Sequence, residues 1–550
     1  MAERKIRSRT VVYIISALLL ITGFFIWRNY KYKLVNNKLD SLVSGKSKGL
    51  YQLSYQHLVI DEALGDLSAE QVEMLPDSQV FRSLSEQKKL PETIFYIHIP
   101  RLSISGVKTP KALLNKEISA HIIRIQDARI EIRSESHGPK KHSNFKDILA
   151  SEQYRQLIGQ LKSIHADSVV LENASLILSE ARSKNVTCRV TGLTVRFAGL
   201  AIDSTNQNDS SRMLFTDDQA IHFKQLILPQ KNKQSEIRIT DLDYNSKTGL
   251  LHTNQIRVIP YLSETAFAKA NHFAKDRLNI TVGSMDFIHI DRQALLRQKI
   301  VADSLILDDG NFYIFRDKSV PHDSLDRTND FPQQVLMRLS TPVYIGKIVL
   351  RNSYIEYKEK NDQSDSSGKV AFYKVQCRIT HVTNIKDSIR IHNQMQLLFK
   401  SSFLNKTAFK ADIRFRLNDP MGRFQLDAEL ADIKANELNT LLRPMALAEL
   451  DKGEIQSLQY HFDATNVHGK GKLILKYSDL KVKLLKKDDD KNKYKTKFLP
   501  SLAAGVLLKK SNPQNGKTRV GEVDFDRDIH RSIFNFMWKS LFSGIKQVAL

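Results

Sequence analysis

The sequence predicts a mainly β fold built from one-sided sheets, preceded by one apolar helix and ended by one amphipathic helix. Three observations predict it. The first is two-residue alternation, best seen from Phe409 to Leu430, where Phe409, Ala411, Ile413, Phe415 and Leu417 oppose Lys410, Asp412, Arg414 and Arg416. Asn418, Asp419, Pro420, Met421 and Gly422 then supply turn chemistry, and Phe424, Leu426, Ala428 and Leu430 alternate with Arg423, Gln425, Asp427 and Glu429 on the return. Strand side chains point alternately to two faces, so this is an antiparallel pair with one apolar and one charged face. The second observation is a local unit that recurs four times: Ile125-Asp127-Ala128-Ile130-Ile132, Leu171-Asn173-Ala174-Leu176-Leu178, Leu307-Asp309-Gly310-Phe312-Ile314 and Leu350-Asn352-Ser353-Ile355-Tyr357. Asn or Asp before a small residue suits the positive φ of a tight hairpin or bulge, and the uneven separations make this a loose repeat. The third is the scarcity of helical periodicity between the two ends.

Taken in order, residues 1–9 form a basic tail with Arg4, Lys5, Arg7 and Arg9, expected in the cytoplasm. An apolar run from Val11 to Trp27 follows. At about 1.5 Å per residue the helix expected over 10–28 is just long enough to cross a hydrocarbon core of roughly 30 Å. Val11, Ile14, Leu18, Ile21, Phe25 and Trp27 would make it a membrane anchor, and its bulky end distinguishes it from a cleaved signal. Residues 29–142 read as a β region, 143–165 as a helix, 166–335 as a middle β region and 336–480 as a C-terminal β module. Further helical patterns fall at Ser263 to Ala274, Asp291 to Lys299, and Asn436 to Leu450, the last broken by Pro444. Polar stretches at 203–212, 317–330 and 360–368 read as exposed loops, and 481–528 as a lysine-dense loop with final strands. In 529–550, Ile533, Phe534, Met537, Trp538, Leu541, Phe542, Ile545 and Val548 share one helical face, with Phe536 off it. Such a helix either caps the open end of a sheet or lies on a bilayer.

The net charge of +23 suits a nucleic-acid binder or a protein working beside anionic membranes. Basic residues here interleave with acidic ones on the wet strand faces and stand beside no aromatic stacking platform, which argues against nucleic acid. Cys188 and Cys377 are each isolated in a strand-like run and read as small buried hydrophobes. Gly45-Lys46-Ser47 has Asp40 where a phosphate loop needs its first glycine. Asp488, Asp490 and Asn492 start a calcium-like loop that then places Lys493 and Leu499 at the glycine and glutamate positions. Sixteen histidines lack metalloprotease spacing, and no Gly-x-Ser-x-Gly elbow occurs. The sequence therefore singles out no catalytic, cofactor-binding or metal-ligating residue, and the chain reads as a non-enzyme without cofactors.

At roughly 25 cal/mol per Å² of apolar surface, leaving such strand faces in water would outweigh a net stability of about 5 to 15 kcal/mol. Helices are too few to cover them, which leaves a sandwich, a barrel, or a curved sheet with an apolar trough filled by ligand. The stretch from Gly422 through Ala435, Leu438-Asn439-x-Leu441-Leu442-x-Pro444 to Gly453 and Ile455 resembles the C-terminal module of AsmA-like envelope proteins. The start is similar too, with an apolar helix, Gly49-Leu50-Tyr51 and Ile99-Pro100-x-Leu102-x-Ile104-x-Gly106-Val107, as is the end, with Asn512-Pro513 and the helix around Ser532 to Gly544. The resemblance implies an N-terminal transmembrane helix followed by an elongated curved antiparallel sheet forming a hydrophobic groove, with few short helices. It also implies a single-pass inner-membrane protein of a Gram-negative envelope, mostly periplasmic, that handles phospholipid between membranes and supports outer-membrane homeostasis. Ile413, Phe415, Leu417, Phe424 and Leu426 would line the groove. The alternative is a structural tether or assembly factor that binds an outer-membrane protein and no lipid.

Overall fold

The computed structural model describes residues 49–107, 117–134, 162–488, 493–496 and 509–549, apart from 62, 92, 181–182, 207–208, 210–211, 213, 231–232, 362–366 and 447. The described residues are mainly β, 61% strand against 14% helix, so among them the strand faces far outnumber the helices available to cover them. The helices are α1 (Ser78–Glu86), α2 (Glu264–Lys269), α3 (Arg292–Leu296), α4 (Pro332–Met337), α5 (Lys386–Ile391), α6 (Asn439–Ala446) and α7 (Ile533–Ala549). The chain forms two compact units, one reaching Asn254 and including Ile288–Lys299, the other comprising Gln255–Phe287 and Ile300–Leu550.

In the first unit, β1 (Tyr51–Asp61), β2 (Asp66–Pro76) and β3 (Thr93–Ser105) run antiparallel. β3 pairs with both β4 (Glu117–Gln126) and β5 (Arg129–Ser134), which act as one strand interrupted at Asp127-Ala128. Both then run parallel to β6 (Ser163–Glu180), and β7 (Val186–Ile202), β8 (Asp218–Pro229) and β9 (Ser235–Asn245) continue antiparallel. The core lies on one face, with Ile97, Ile99, Leu102, Ile104, Ile123 and Ile125 all essentially inaccessible. α1 lies inside the stretch 29–142 that the sequence reads as a β region. Asp77 starts it by accepting from the Gln79 and Val80 amides, each at 2.9 Å.

The second unit repeats the scheme. β10 (Leu250–Pro260), which belongs to this unit from Gln255 on, leads through β11 (Arg277–Val282) to β14 (Asn311–Asp317), with β12 (Ser284–Ile288, its last residue in the first unit) and β13 (Ile300–Asp308) between them in sequence. β13 and β14, broken at Asp309-Gly310, run parallel to β15 (Val343–Lys360). From there β16 (Ser367–Thr383), β17 (Gln394–Phe403), β18 (Thr407–Arg416), β19 (Phe424–Leu430), β21 (Ala448–Ala464), β22 (His468–Asp488) and β24 (Val520–Asp526) are antiparallel neighbours. The short β20 (Ile433–Lys434) and β23 (Lys493–Thr496) pair with β21 and β22. The alternating pair read from the sequence is present in register, Phe409 opposite Leu430 and Phe415 opposite Phe424, with Asn418 and Gly422 at φ of 53° and 61° in the turn.

The fold departs from the sequence reading in three respects, while the recurring units prove to be bulges, one of the two forms expected of them. An all-antiparallel sheet was expected, yet β4 and β5 lie parallel to β6, and β13 and β14 parallel to β15. Parallel neighbours need long crossovers, here residues 135–162 and 318–342. The four recurring Asn/Asp-small units are bulges inside these strands. They sit side by side in two pairs, with Asn173 Nδ2 donating to Asp127 Oδ1 at 2.6 Å and Asn352 Nδ2 to Asp309 Oδ1 at 2.5 Å. All four residues hold positive φ, from 46° to 55°, as bulged strands require. Of the helix expected over 143–165, Lys162 lies in a bend, Ser163–His165 open β6, and 143–161 lie outside the described residues. The expected single-pass inner-membrane location does not stand, because among the described residues no helix is long and apolar enough to cross a membrane. Val11, Ile14, Leu18, Ile21, Phe25 and Trp27 lie outside those residues, and α7, though 17 residues long, carries Lys539 and Lys546 and lays one face on the sheet.

Candidate functional site

The apolar face of the second unit is treated differently along its length. At one end it is closed. Phe415, Leu417, Phe424 and Leu426 are between 1% and 6% exposed, too little to front an open groove. Phe331, fully buried at the start of α4, covers them: its ring meets Phe424 edge-on at 5.3 Å, and Phe424 contacts Phe415 at 5.8 Å and Phe462 at 6.2 Å. Phe462 in turn meets Phe536 of α7 at 5.3 Å. The Arg527 guanidinium lies 4.3 Å from the Phe331 ring centre and donates to the carbonyls of Arg327, Asn466 and Arg531 at 2.8, 2.9 and 3.1 Å. Removal from water pulls the Arg527 pKa below its ordinary value. Arg527 thereby straps the end of the 317–330 stretch, which sequence composition reads as an exposed loop, together with Phe331 across the end of the sheet.

The opposite end is bridged by a 3-10 turn at Ala435–Leu438 and by α6. The Asn439 amide pins α6 to β21, donating to the Leu450 carbonyl at 2.9 Å and accepting from the Leu450 amide at 2.8 Å. Pro444 and Met445 rest on Gly368 of β16, where even a methyl group would overlap Met445 Cγ. Lys406 in the β17–β18 turn pairs with Glu437 at 3.2 Å. α6 therefore reaches from β21 to β16 past the ends of the three strands between them.

Between these closures the apolar face is half-exposed. Phe372 of β16, Phe399 and Phe403 of β17 and Phe409 of β18 form a cluster in which Phe372 lies 5.5, 5.5 and 5.4 Å from the other three ring centres. All four are half-buried, and Ile379, Leu397 and Ile413 continue the surface toward the dry end, also half-buried. Among the described residues, β17 and β18 contact extensively only neighbouring strands of the sheet. Of the residues expected to line a groove, Ile413 lies in this half-exposed stretch, whereas Phe415, Leu417, Phe424 and Leu426 are buried in the cluster around Phe331. The phenylalanine quartet escaped the sequence reading. Its signal was available as Phe399 and Phe403 at even spacing before a turn, with Phe409 resuming the same face after it.

The opposite face is a ladder of paired charges. Arg414 bridges Asp412 and Asp427, both at 2.9 Å, and His461 joins Asp427 at 2.6 Å to Asp463 at 3.0 Å. The hydrogen bond that His461 donates to Asp427, reinforced by Asp463, raises the His461 pKa. Arg414 and His461 both reach across the strands to Asp427, the arrangement of a solvated sheet face. Among the described residues no group of three or more metal-ligating side chains converges. A cavity of about 620 Å³ beside α6 is lined by Asn436, Asn439, Thr440, Arg443, Glu449 and Asp451. Arg443 is already paired with Glu449 at 3.0 Å, so this cavity presents no net positive charge to an anion. Cys188 and Cys377 are free thiols, and burial pushes each up to about 11.

Compared with known families and curated proteins, the chain matches no family model and no curated protein.

Proposed function

We propose that the second unit holds acyl chains of phospholipid along a furrow between the Phe331 plug and α6, and that the protein handles phospholipid as a carrier and not as an enzyme. The observation that carries this reading is the half-buried quartet of Phe372, Phe399, Phe403 and Phe409. Aromatic rings left partly wet, between two ends where the same face is sealed, form the kind of elongated apolar site that a flexible chain fills. Aliphatic side chains at Ile379, Leu397 and Ile413 extend it without a polar group that would select a compact ligand. The resemblance of Gly422 to Ile455 to AsmA-like proteins supports the same substrate class.

The test is native mass spectrometry of the purified full chain, with the released lipid identified. The reading expects phospholipid at about one molecule per chain or more, lost in Phe399→Asp and Phe409→Asp variants that keep their β circular dichroism. A folded, lipid-free wild type overturns it. So does unfolding of both variants, which would mark the quartet as dry core and favour a structural tether.

A further inference from the structure

α7 has two apolar sides, and the fold uses one. Ile533, Phe536, Ser540, Gly544 and Val548 are buried against β22 and β24. Tyr460 and Ser540 hydroxyls meet at 2.8 Å, and a Cβ on Gly544 would stand 2.9 Å from Val523 Cγ2, so the helix is seated too closely to roll over. The sequence alone assigns Phe534 and Trp538 to the docking face and leaves out Phe536. The structure reverses this, with Phe536 1% exposed, Phe534 74% and Trp538 45%.

Phe534, Trp538 and the half-buried Phe542 follow one another at four-residue spacing on the side away from the sheet. Lys539 and Lys546 are exposed beside them, and Lys546 Nζ lies 5.0 Å from the Phe542 ring centre. From 529 to 549 there is no Asp or Glu, and Lys539 and Lys546 supply positive charge, while Arg531 is paired with Asp528 at 3.3 Å. The nearby acids Glu522 and Asp524 of β24 are engaged by Lys472 and Lys470.

We infer that the outer face of α7 docks on an anionic lipid surface, Phe534 and Trp538 entering the boundary between headgroups and acyl chains while Lys539 and Lys546 meet the headgroups. Large aromatic side chains in a row beside lysines, without an acid among them, are the composition of a helix that lies in a membrane interface. Charge complementarity selects an anionic surface over a neutral one. This site is separate from the furrow, and either can fail without the other.

The chain has two tryptophans, so Trp27→Phe leaves Trp538 as the sole fluorescent reporter, placed on the helix itself. The full-length variant is mixed with phosphatidylcholine vesicles, with or without about a quarter phosphatidylglycerol. The expected result is a blue shift of Trp538 and quenching by brominated acyl chains on the anionic vesicles. Adding Lys539→Glu and Lys546→Glu should weaken vesicle binding about tenfold, the factor that 1.4 kcal/mol represents. Unchanged emission on anionic vesicles, even where protein floats with them, overturns the inference. A blue shift that grows with protein concentration without lipid also overturns it, because the face would then belong to a second copy.

Discussion

Truncating Phe331 and Phe409 to alanine separates a dry core from a furrow on one face of one sheet. The Phe331 ring is fully buried, set edge-on to Phe424 at 5.3 Å and beneath Arg527 at 4.3 Å. Its loss removes the burial of a large side chain and leaves a hole that the packed rings around it cannot close, a cost of about 3 to 5 kcal/mol. Phe409 is half-buried and its neighbours Phe372, Phe399 and Phe403 can lean into the space, so its loss should cost roughly 1 to 2 kcal/mol, about half the transfer value of a phenylalanine. Native-state hydrogen exchange of the β18 and β19 amides reads both locally and without assuming that this long chain unfolds in one step. Phe331→Ala should speed that exchange by a hundredfold or more, at about 1.4 kcal/mol per tenfold, and Phe409→Ala by roughly tenfold. Equal effects would refute the distinction, since they would place Phe409 in a core as tight as the one beneath Phe331.

Gly422→Ala should destabilise the second unit by at least about 1 kcal/mol, seen as a lower melting temperature, because Gly422 holds φ of 61° and a Cβ there would overlap Asn466 Oδ1. Gly368→Val should drive Met445 away and loosen α6, seen as faster exchange of amides 439–446, with β18 and β19 unaffected. His461 has a raised pKa in the folded protein, so its contribution to stability is fully present below the ordinary histidine value of about 6.5 and is lost as pH rises through the folded value. Denaturant midpoints across that window should fall with rising pH for the wild type and fall less for His461→Gln, while an NMR titration locates the folded pKa.

The hairpin from Phe409 to Leu430 was legible because alternation and turn chemistry are both local and agree with each other. The bulges at Asp127, Asn173, Asp309 and Asn352 were legible as special backbone but not as partners, since pairing across a parallel crossover depends on which distant strand arrives beside them. α1 was missed because it is short, nine residues with none buried, although Val80, Phe81 and Leu84 share one helical face behind the cap at Asp77. Phe331 was hidden by its setting. A fully buried aromatic at the end of a polar loop is explained only by Arg527, almost two hundred residues away, which holds that loop against the sheet. The rotation of α7 was misread because Phe534 and Trp538 make the more hydrophobic arc, whereas close approach to the sheet selected the side carrying Ser540 and Gly544. The same limit applies to the site. Alternation shows which side chains share a face, but not where along that face a plug ends and a furrow begins.

The most direct measurement of the central claim is photocrosslinking in living cells from benzoylphenylalanine placed at Phe399, with the adduct identified by mass spectrometry. A phospholipid adduct at Phe399, absent when the same probe replaces Phe331, is the expected result. An adduct at Phe399 to a protein, or to another part of this chain, would contradict it.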